Sequence, residues 1–335
     1  MPYKAYRLVK DDLVVEDRER PRLQRSEVRV RLRAASLNFR DLMLMRGAFS
    51  DAALENVTPL SDGAGEVIET GDDVWRVKRG DRVAITFFAD WIAGEWQPMP
   101  DTLGRGGGIE GVAQQEMVLR QEELVGIPDH LDFVEASTLP CAAVTAWSAL
   151  MQGPRLMPGD AVLTHGSGGV SVFTIQLGRA LGARVFATTT SPGKVDALRA
   201  VGAEDVFLST NPGWPDALLH GLQGYDNPGV DRVVETIGGD SFAVSLHACR
   251  QGAHVSLVGL QRGSPEGSEL QFYKGVSTSV IRVGSRADFM AMNRVIAATK
   301  MRPLIDRRFP FEQLTDALTY LGSQQHVGKV VLELG

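Results

Sequence analysis

Cysteine and histidine are scarce in this sequence. Its 335 residues contain two cysteines, Cys141 and Cys249, and six histidines, of which the first is His130. Two cysteines are too few for the disulfide framework typical of small secreted domains. We therefore expect a reducing, cytoplasmic location.

Long apolar runs and clustered basic residues are also missing. No segment approaches the roughly 18 apolar residues of a membrane-spanning helix, and the N-terminal MPYKAYRLVKDD lacks the apolar core of a signal peptide. We expect no membrane association. The formal net charge of −6 argues against a nucleic-acid partner, because such proteins present a clustered basic surface.

The densest basic run begins at Arg20, where Arg29, Arg31 and Arg33 alternate with apolar residues. A period of two predicts a strand with an exposed basic face, and a polyanion-binding site is the alternative.

The length of the chain and the order of its predicted strands and helices indicate two domains of an α/β fold. A chain of 335 residues with 44% apolar residues is long enough for two cores. The first 125 or so residues contain short strands such as EVRVRLRAAS, AGEVIETG and DRVAITFF, which predict an antiparallel, barrel-like domain. From about Pro128, strands alternate with helices, which predicts a parallel doubly wound sheet. The strands predicted for that sheet are Ala161–Thr164, Arg184–Thr188, Asp205–Leu208, Asp231–Glu235 and His254–Val258.

The tail after about Phe272 contains a predicted strand in TSVIRVGS, a helix, and a final strand in GKVVLEL. These elements look like neither a further βαβ unit nor a separate domain, so we expect them to complete the first domain. The predicted domains are therefore residues 1–126 with 273–335, and an inserted nucleotide-binding domain of residues 127–272.

A glycine turn follows the first strand of the predicted parallel sheet. Gly166, Gly168 and Ser171 occupy the positions of a G-x-G-x-x-G pattern, and the apolar VSVFTIQLGRALG predicts the helix that follows. Such a turn allows the backbone to approach a pyrophosphate, which the free amides at the helix start bind. A helix-capping turn without a ligand is the alternative. The predicted pyrophosphate-binding residues are Gly166, Ser167, Gly168, Gly169 and Val170.

The segment about 20 residues further on indicates which dinucleotide binds. An acid there would grip the ribose 2′-hydroxyl of NAD, but this segment reads TTTSPGK, and no carboxylate lies between Ser167 and Asp196. Hydroxyls and an ammonium group would accept a 2′-phosphate. We therefore predict NADPH in preference to NADH, with Thr189, Ser191 and Lys194 as contacts. An exposed lysine at a helix start is the alternative for Lys194.

Six motifs occur in the order SLNFRD, DGAGEV, GDRV, LPCAAVTAW, HGSGGVS and GKVV. With these motifs the chain resembles the medium-chain dehydrogenase/reductases over essentially its whole length, most closely their quinone-oxidoreductase-like branch without zinc. The resemblance implies a GroES-like catalytic domain built from both ends of the chain, an inserted Rossmann domain, a cleft between them, and hydride transfer from a nicotinamide.

Many members of this family carry a catalytic zinc ion, whose ligands are not matched here. Asn38 stands at the first cysteine ligand of the family, Ser61 replaces the histidine ligand and is followed by Asp62, and only Cys141 matches. One thiolate and one doubtful carboxylate make a poor zinc site. The absence of cysteine and histidine before His130 also excludes the family's structural zinc lobe. We therefore expect no metal, and Cys141 as a small buried residue beside the cofactor.

Hydrogen bonds would then replace the metal. Asn38 can donate to a developing oxyanion, Arg40 or Asp41 would position the cofactor or brace the loop, and Asp62 would relay a proton or cap a turn. We predict Asn38, Asp41 and Asp62 as the catalytic residues.

The resemblance also implies contacts to the nicotinamide half of the cofactor. Thr145 would bond the carboxamide or ribose, or cap its helix, and Lys329 would reach the cofactor phosphates or lie on the surface. Strand ends that line the nicotinamide in relatives correspond to Gly238, Val258, Gly259 and Val283.

The segment from Phe87 to Gly111 departs from the family's pattern. Its Trp91 and Trp96 would wall an apolar substrate pocket or pack under a long loop, and its GRGGGIEG indicates a bent loop.

The predicted function is an NADPH-dependent, zinc-independent oxidoreductase that acts on a quinone, an enone or a related carbonyl compound. The alternatives are a zinc-dependent alcohol dehydrogenase and a non-catalytic NADPH-binding sensor. Relatives often pair through an edge strand of the nucleotide sheet, so HVSLVGL is a candidate for a homodimer contact.

Overall fold

The computed structural model describes residues 2–9, 12–47, 57–98, 104–223, 227–259 and 269–335. The chain forms two compact units. The first unit comprises Met1–Val144 and Gly284–Gly335, and the second comprises Thr145–Val283. Within the described residues, no helix is both long and apolar enough to cross a lipid bilayer.

The first unit is built on a seven-stranded sheet and a two-stranded hairpin. The sheet has the order β14-β15-β3-β4-β5-β7, with β6 also paired to β3, and β1 pairs with β2. Its strands are β1 Tyr3–Val9, β2 Asp12–Arg18, β3 Glu27–Leu37, β4 Asp62–Thr70, β5 Arg82–Ile85, β6 Glu116–Arg120, β7 Leu124–Gly126, β14 Ile305–Pro310 and β15 Lys329–Glu333. Its helices are α1 Phe39–Met45, α2 Phe133–Ala136, α9 Arg286–Thr299 and α10 Leu314–Gly322.

The long central strand β3 organises this unit. Val28, Val30 and Leu32 are fully buried, as the period of two predicts. The prediction of a basic face holds for Arg31 and Arg33, which are exposed.

The prediction is wrong for Arg29, which is only 4% exposed. Its guanidinium donates to the Glu69 carboxylate at 2.9 Å and to the Pro21 carbonyl at 2.6 Å. These two acceptors compensate the cation, so Arg29 braces the sheet.

The second unit is a parallel doubly wound sheet with the strand order β10-β9-β8-β11-β12-β13. The order reverses between β8 and β11, and such a reversal leaves a crevice at the carboxyl ends of the strands. All five predicted strands are confirmed. The strands are β8 Ala161–His165, β9 Arg184–Thr189, β10 Asp205–Leu208, β11 Val230–Glu235, β12 Cys249–Leu257 and β13 Ser277–Val280. The helices are α3 Val144–Met151, α4 Gly169–Ala180, α5 Val195–Ala200, α6 Trp214–Gly221, α7 Asp240–Ala248 and α8 Glu269–Lys274.

The edge of this sheet differs from the sequence prediction. The strand in TSVIRVGS does not complete the first domain, because β13 pairs in parallel with β12. HVSLVGL was a candidate edge strand, but β12 is hydrogen-bonded to β11 on one side and to β13 on the other. The edge strands of this sheet are β10 and β13. Leu260 of HVSLVGL lies outside the described residues.

Candidate active site

The glycine turn of the second unit leads from β8 into α4. Gly166 has φ +80°, a left-handed conformation that favours glycine, and its amide donates to the Thr188 carbonyl at 2.8 Å. Gly168 is the N-cap of α4, and a Cβ atom built on it would meet no atom within 4 Å. The amides of Gly169 and Val170 lie in the first turn of α4. Amides in a first turn have no carbonyl acceptor within their own helix. The turn is therefore open and rich in donors, as an anion site requires.

Lys194 brings a positive charge to this turn. It ends a single helical turn, Pro192–Lys194, that follows β9, and its Nζ donates to Ser167 Oγ at 3.0 Å. The ammonium and the amides therefore share one small region, which suits a phosphate group.

The three threonines around the end of β9, Thr188, Thr189 and Thr190, do not all face outward. Thr188 is buried and its hydroxyl contacts His165 Nδ1 at 2.9 Å. The buried Thr189 hydroxyl accepts from the Ser191 amide at 3.2 Å, and Thr190 is exposed. Two of the three hydroxyls thus hold the end of β9 in place.

A buried polar network behind the glycine turn was missed in the sequence. His165 Nε2 lies 2.8 Å from Ser245 Oγ, and Ser245 donates to Glu235 Oε2 at 2.6 Å. Glu235 also accepts from the Ile237 and Gly238 amides, at 2.9 and 3.1 Å. The network therefore joins the ends of β8, β9 and β11.

Burial and hydrogen bonds act together on the pKa values of His165 and Glu235 in this network. Burial lowers the pKa of His165, although Glu235 acts in the opposite direction. Burial alone would raise the pKa of Glu235, but His165, Ser245 and the two amides together hold that pKa below its ordinary value. The position of His165 directly before the glycine turn was the only sequence signal.

The predicted nicotinamide-contact positions follow the same strand ends. The amides of Val258 and Gly259 both donate to the Glu235 carbonyl, at 2.9 and 3.1 Å, so only their carbonyls remain for a ligand. A Cβ on Gly259 would lie 1.9 Å from the Thr236 carbonyl oxygen, which explains the glycine. Gly238 has φ +79°.

Two further predicted cofactor contacts lie at the borders of the second unit. Thr145 is buried in the first turn of α3, directly after a π-helical turn, Leu139–Ala143. Val283 has φ +40°, which is strained for a β-branched residue, and it is the last residue of this unit. Such strain is common at functional sites.

In the first unit, Asn38 is the N-cap of α1 and is 9% exposed. Its Oδ1 accepts from Lys329 Nζ at 2.6 Å, and its Nδ2 donates to Ser61 Oγ at 3.3 Å. Lys329 also donates to the Leu37 carbonyl at 2.7 Å. The Lys329 side chain, which was predicted to reach the cofactor phosphates, is thus only 2% exposed. Its ammonium group is hydrogen-bonded to Asn38 and to the Leu37 carbonyl instead.

Asp62 closes these contacts into a ring. The Ser61 hydroxyl donates to Asp62 Oδ1 at 2.7 Å, and Asp62 Oδ2 lies 3.7 Å from Lys329 Nζ. We call Lys329, Asn38, Ser61 and Asp62 the Asn38 ring. Ser61 and Asp62 are fully buried, so Asp62 does not merely cap an exposed turn.

Asp41 is buried beside this ring. Its Oδ2 accepts from the Asn38 amide at 2.7 Å, and its Oδ1 lies 3.3 Å from Arg40 Nη1. Burial raises the pKa of Asp41 to about 6, although Arg40 and the Asn38 amide oppose this shift. Arg40 also donates to the Arg105 carbonyl at 2.9 Å, which ties α1 to the bent loop GRGGGIEG. These contacts brace the site, and a catalytic role of Asp41 stays a prediction.

The side chains at the family's metal positions do not fit a zinc ion. Zinc binds thiolates, imidazoles and carboxylates, whereas Asn38 and Ser61 offer an amide and a hydroxyl, and desolvation raises the pKa of the half-buried Cys141 thiol. The Lys329 ammonium beside Asn38 and Asp62 would also repel a metal ion. In the described parts of the chain, no three His, Cys, Asp or Glu side chains group as metal ligands would.

The two tryptophans differ in their surroundings. Trp91 is 6% exposed, donates to the Gly94 carbonyl at 3.0 Å and packs against Phe88, so it packs under its loop. Trp96 is half-buried, and residues 99–103 of this loop lie outside the described residues.

Comparisons with known proteins agree with this architecture. The alcohol dehydrogenase GroES-like domain matches residues 24–129, and the zinc-binding dehydrogenase model matches residues 201–332. A zinc-type alcohol dehydrogenase-like protein of Schizosaccharomyces pombe is 35% identical to this chain, over 97% of this chain and 96% of its own length. The chain is a medium-chain dehydrogenase/reductase.

Solved structures of this family superpose closely. An NAD-dependent alcohol dehydrogenase is 28% identical, with a TM-score of 0.88 over 99% of this chain and 100% of that chain. A quinone oxidoreductase of Pseudomonas syringae pv. Tomato DC3000 is 24% identical and shares the fold, with a TM-score of 0.80 over 99% of this chain and 100% of that chain.

The family membership confirms the predicted fold and enzyme class. The first unit is GroES-like, the second is an inserted Rossmann unit, and the family consists of NAD(P)H-dependent oxidoreductases. The open glycine turn, the amides of α4 and the Lys194 ammonium fit a nicotinamide dinucleotide.

Proposed function

We propose that this medium-chain dehydrogenase/reductase is a zinc-independent enzyme that prefers NADPH and reduces quinones, enones or related aldehydes and ketones. The observation that carries this proposal is the amide of Asn38, held at the family's metal position with its oxygen on Lys329 and its nitrogen on Ser61. An amide N–H suits a carbonyl oxygen that becomes negative during reduction.

The residues of the second unit would hold the cofactor. The first amides of α4 bind the pyrophosphate, and Lys194 beside Ser167 attracts the additional phosphate of NADPH. When bound, the nicotinamide supplies a hydride.

The residues of the first unit would act on the substrate. Asn38 Nδ2 donates to the substrate oxygen as negative charge develops there, and Ser61 with Asp62 fixes the direction of that donor. The buried ring also excludes water from the amide, which strengthens its hydrogen bonds. The proton that completes the reduction comes from solvent or a hydroxyl.

Two observations favour a different kind of oxidoreductase, a zinc-dependent alcohol dehydrogenase that uses NAD. The Schizosaccharomyces pombe relative is named as a zinc-type protein, and a similar solved structure is an NAD-dependent alcohol dehydrogenase. A zinc-dependent alcohol dehydrogenase that uses NAD is therefore the second candidate.

Turnover of a substrate panel tests the proposal. Quinones, enones, aldehydes and ketones are each mixed with the protein and either NADPH or NADH, and the loss of reduced nicotinamide absorbance is followed. We expect consumption of NADPH to exceed that of NADH with at least one carbonyl compound. Tight NADPH binding without turnover on any compound would identify a cofactor-binding sensor instead.

The remaining proposals concern the surroundings of the enzyme. The two-cysteine composition is the basis for proposing a cytoplasmic location.

A homodimer would form through β13, because this edge strand exposes 68% of Val280. Light scattering would give the mass of the particle in solution.

A further inference from the structure

The Asn38 ring has a fixed direction of hydrogen bonding. An ammonium group has only donors, so the atom of Asn38 that faces Lys329 at 2.6 Å must be the amide oxygen. At the other end, an ionised Asp62 only accepts, so the Ser61 hydroxyl donates to it and accepts from Asn38 Nδ2. The two charges thus determine which end of the Asn38 amide is the donor end.

The sheet register brings Lys329 to this position. β15 lies between β14 and β3, and Val330 pairs with Leu37 in the antiparallel register, so Lys329 stands beside Asn38 at the end of β3. The Leu37 carbonyl, the Asn38 oxygen and the Asp62 carboxylate surround the ammonium. These acceptors compensate a cation that is only 2% exposed.

A cation on the amide oxygen also polarises the amide. It withdraws electron density from the nitrogen, so both N–H groups of Asn38 become stronger donors. One of these N–H groups faces Ser61. The other is the group that the proposed function assigns to the substrate oxygen.

We propose that Lys329 is a positioning residue for carbonyl reduction, which holds and polarises the Asn38 amide from within the first unit and does not bind the cofactor phosphates. This inference rests on the proposed function for its catalytic consequence. Its structural content, the coupling of Lys329 to Asn38, is independent of any substrate.

Kinetics and cofactor binding of purified variants test the proposal. Lys329→Met alone would leave Asp62 as an unpaired buried charge, so it is paired with a double variant, Lys329→Met with Asp62→Asn, that removes both charges. Lys329→Arg restores a cation, and Lys78→Met, at an exposed lysine, is the matched control. Each variant is titrated with NADPH by fluorescence and assayed for kcat and KM.

We expect the double variant to lose about tenfold to a hundredfold in kcat, less than the roughly 10²–10³ that removal of a whole oxyanion donor costs. Its Kd for NADPH should stay within about twofold of the unmodified value, and Lys329→Arg should recover part of the loss in kcat. An increase in the NADPH Kd as large as that caused by Lys194→Met, with kcat unchanged, would overturn the proposal and make Lys329 a phosphate ligand.

A second measurement separates this inference from the proposed function. If the unmodified protein reduces no carbonyl compound, the proposed function fails, and the inference is then judged from urea unfolding of Asn38→Ala, Lys329→Met and their combination. A non-additive effect of the two substitutions supports the coupling. Additive effects would refute it.

Discussion

The ammonium of Lys194 donates a hydrogen bond to the Ser167 hydroxyl, 3.0 Å away and 27 residues earlier in the chain. This bond brings a positive charge to the glycine turn. No carboxylate lies between Ser167 and Asp196 to offset that charge. The proposed preference for NADPH depends on this charge, and a carboxylate in this segment would instead favour the ribose hydroxyl of NADH.

Removal of the Lys194 ammonium should therefore weaken the binding of NADPH more than the binding of NADH. Lys194→Ala is expected to raise the Kd for NADPH on the order of tenfold to a hundredfold, as for a lost hydrogen bond to a charged group. The Kd for NADH should change little. Fluorescence titration with both cofactors measures this, and Lys78→Ala serves as the control. Tighter binding of NADH than of NADPH by the unmodified protein would contradict the cofactor assignment.

The Asn38 amide is expected to act on kcat. Asn38→Ala should lower kcat by about 10²–10³, as the loss of one oxyanion donor does, with a smaller effect on KM. Asn293→Ala is the comparison, since Asn293 is also buried in the first unit but donates to the Gly126 carbonyl. Equal kcat values for the two variants would show that the Asn38 amide does not act as an oxyanion donor in the reaction.

Asp41 should make stability depend on pH. Its pKa is about 6 in the folded protein and about 3.9 in an unfolded chain, so the folded state binds the proton more tightly. The stabilisation is complete below about pH 4 and is lost as the pH rises through 6. Between pH 4 and 7 the free energy of unfolding should fall by about 2 kcal/mol relative to Asp41→Asn. Urea unfolding at each pH gives both values, and parallel curves for the two proteins would refute this.

The network behind the glycine turn predicts a difference between two serines. Ser245 is fully buried between His165 and Glu235, whereas the half-buried Ser241 lies 3.2 Å from Glu235. Ser245→Ala removes the hydroxyl partner of the buried His165 Nε2 and one of the donors to Glu235, and should cost about 1–3 kcal/mol of unfolding free energy. Ser241→Ala should cost less. A larger loss for Ser241→Ala in chemical unfolding would disprove the assigned network.

The local patterns of the second unit predicted its structure well. Apolar runs of strand length, followed by a glycine turn and an apolar helix, are determined within a few neighbouring residues. The strand in TSVIRVGS shows the limit of such patterns. Its residues predict a strand but not its partner, and β13 joins β12 and not the first unit.

The chemistry of the site depends on long-range register, which local patterns do not contain. Lys329 and Asn38 are 291 residues apart and meet only because β15 pairs with β3. His165 and Ser245 are 80 residues apart and meet across β8 and α7. Local sequence likewise could not predict that Thr188 and Thr189 turn their hydroxyls inward, since tertiary partners determine that orientation.

Zinc content and turnover, measured on the same purified protein, test the account most directly. The enzyme should consume NADPH with a quinone, enone or aldehyde while its zinc content is far below one ion per chain, and treatment with a chelator should leave kcat unchanged. Stoichiometric zinc that is lost together with activity, and that restores activity when it is added back, would contradict the assignment of Asn38 and Lys329 to the place of the metal.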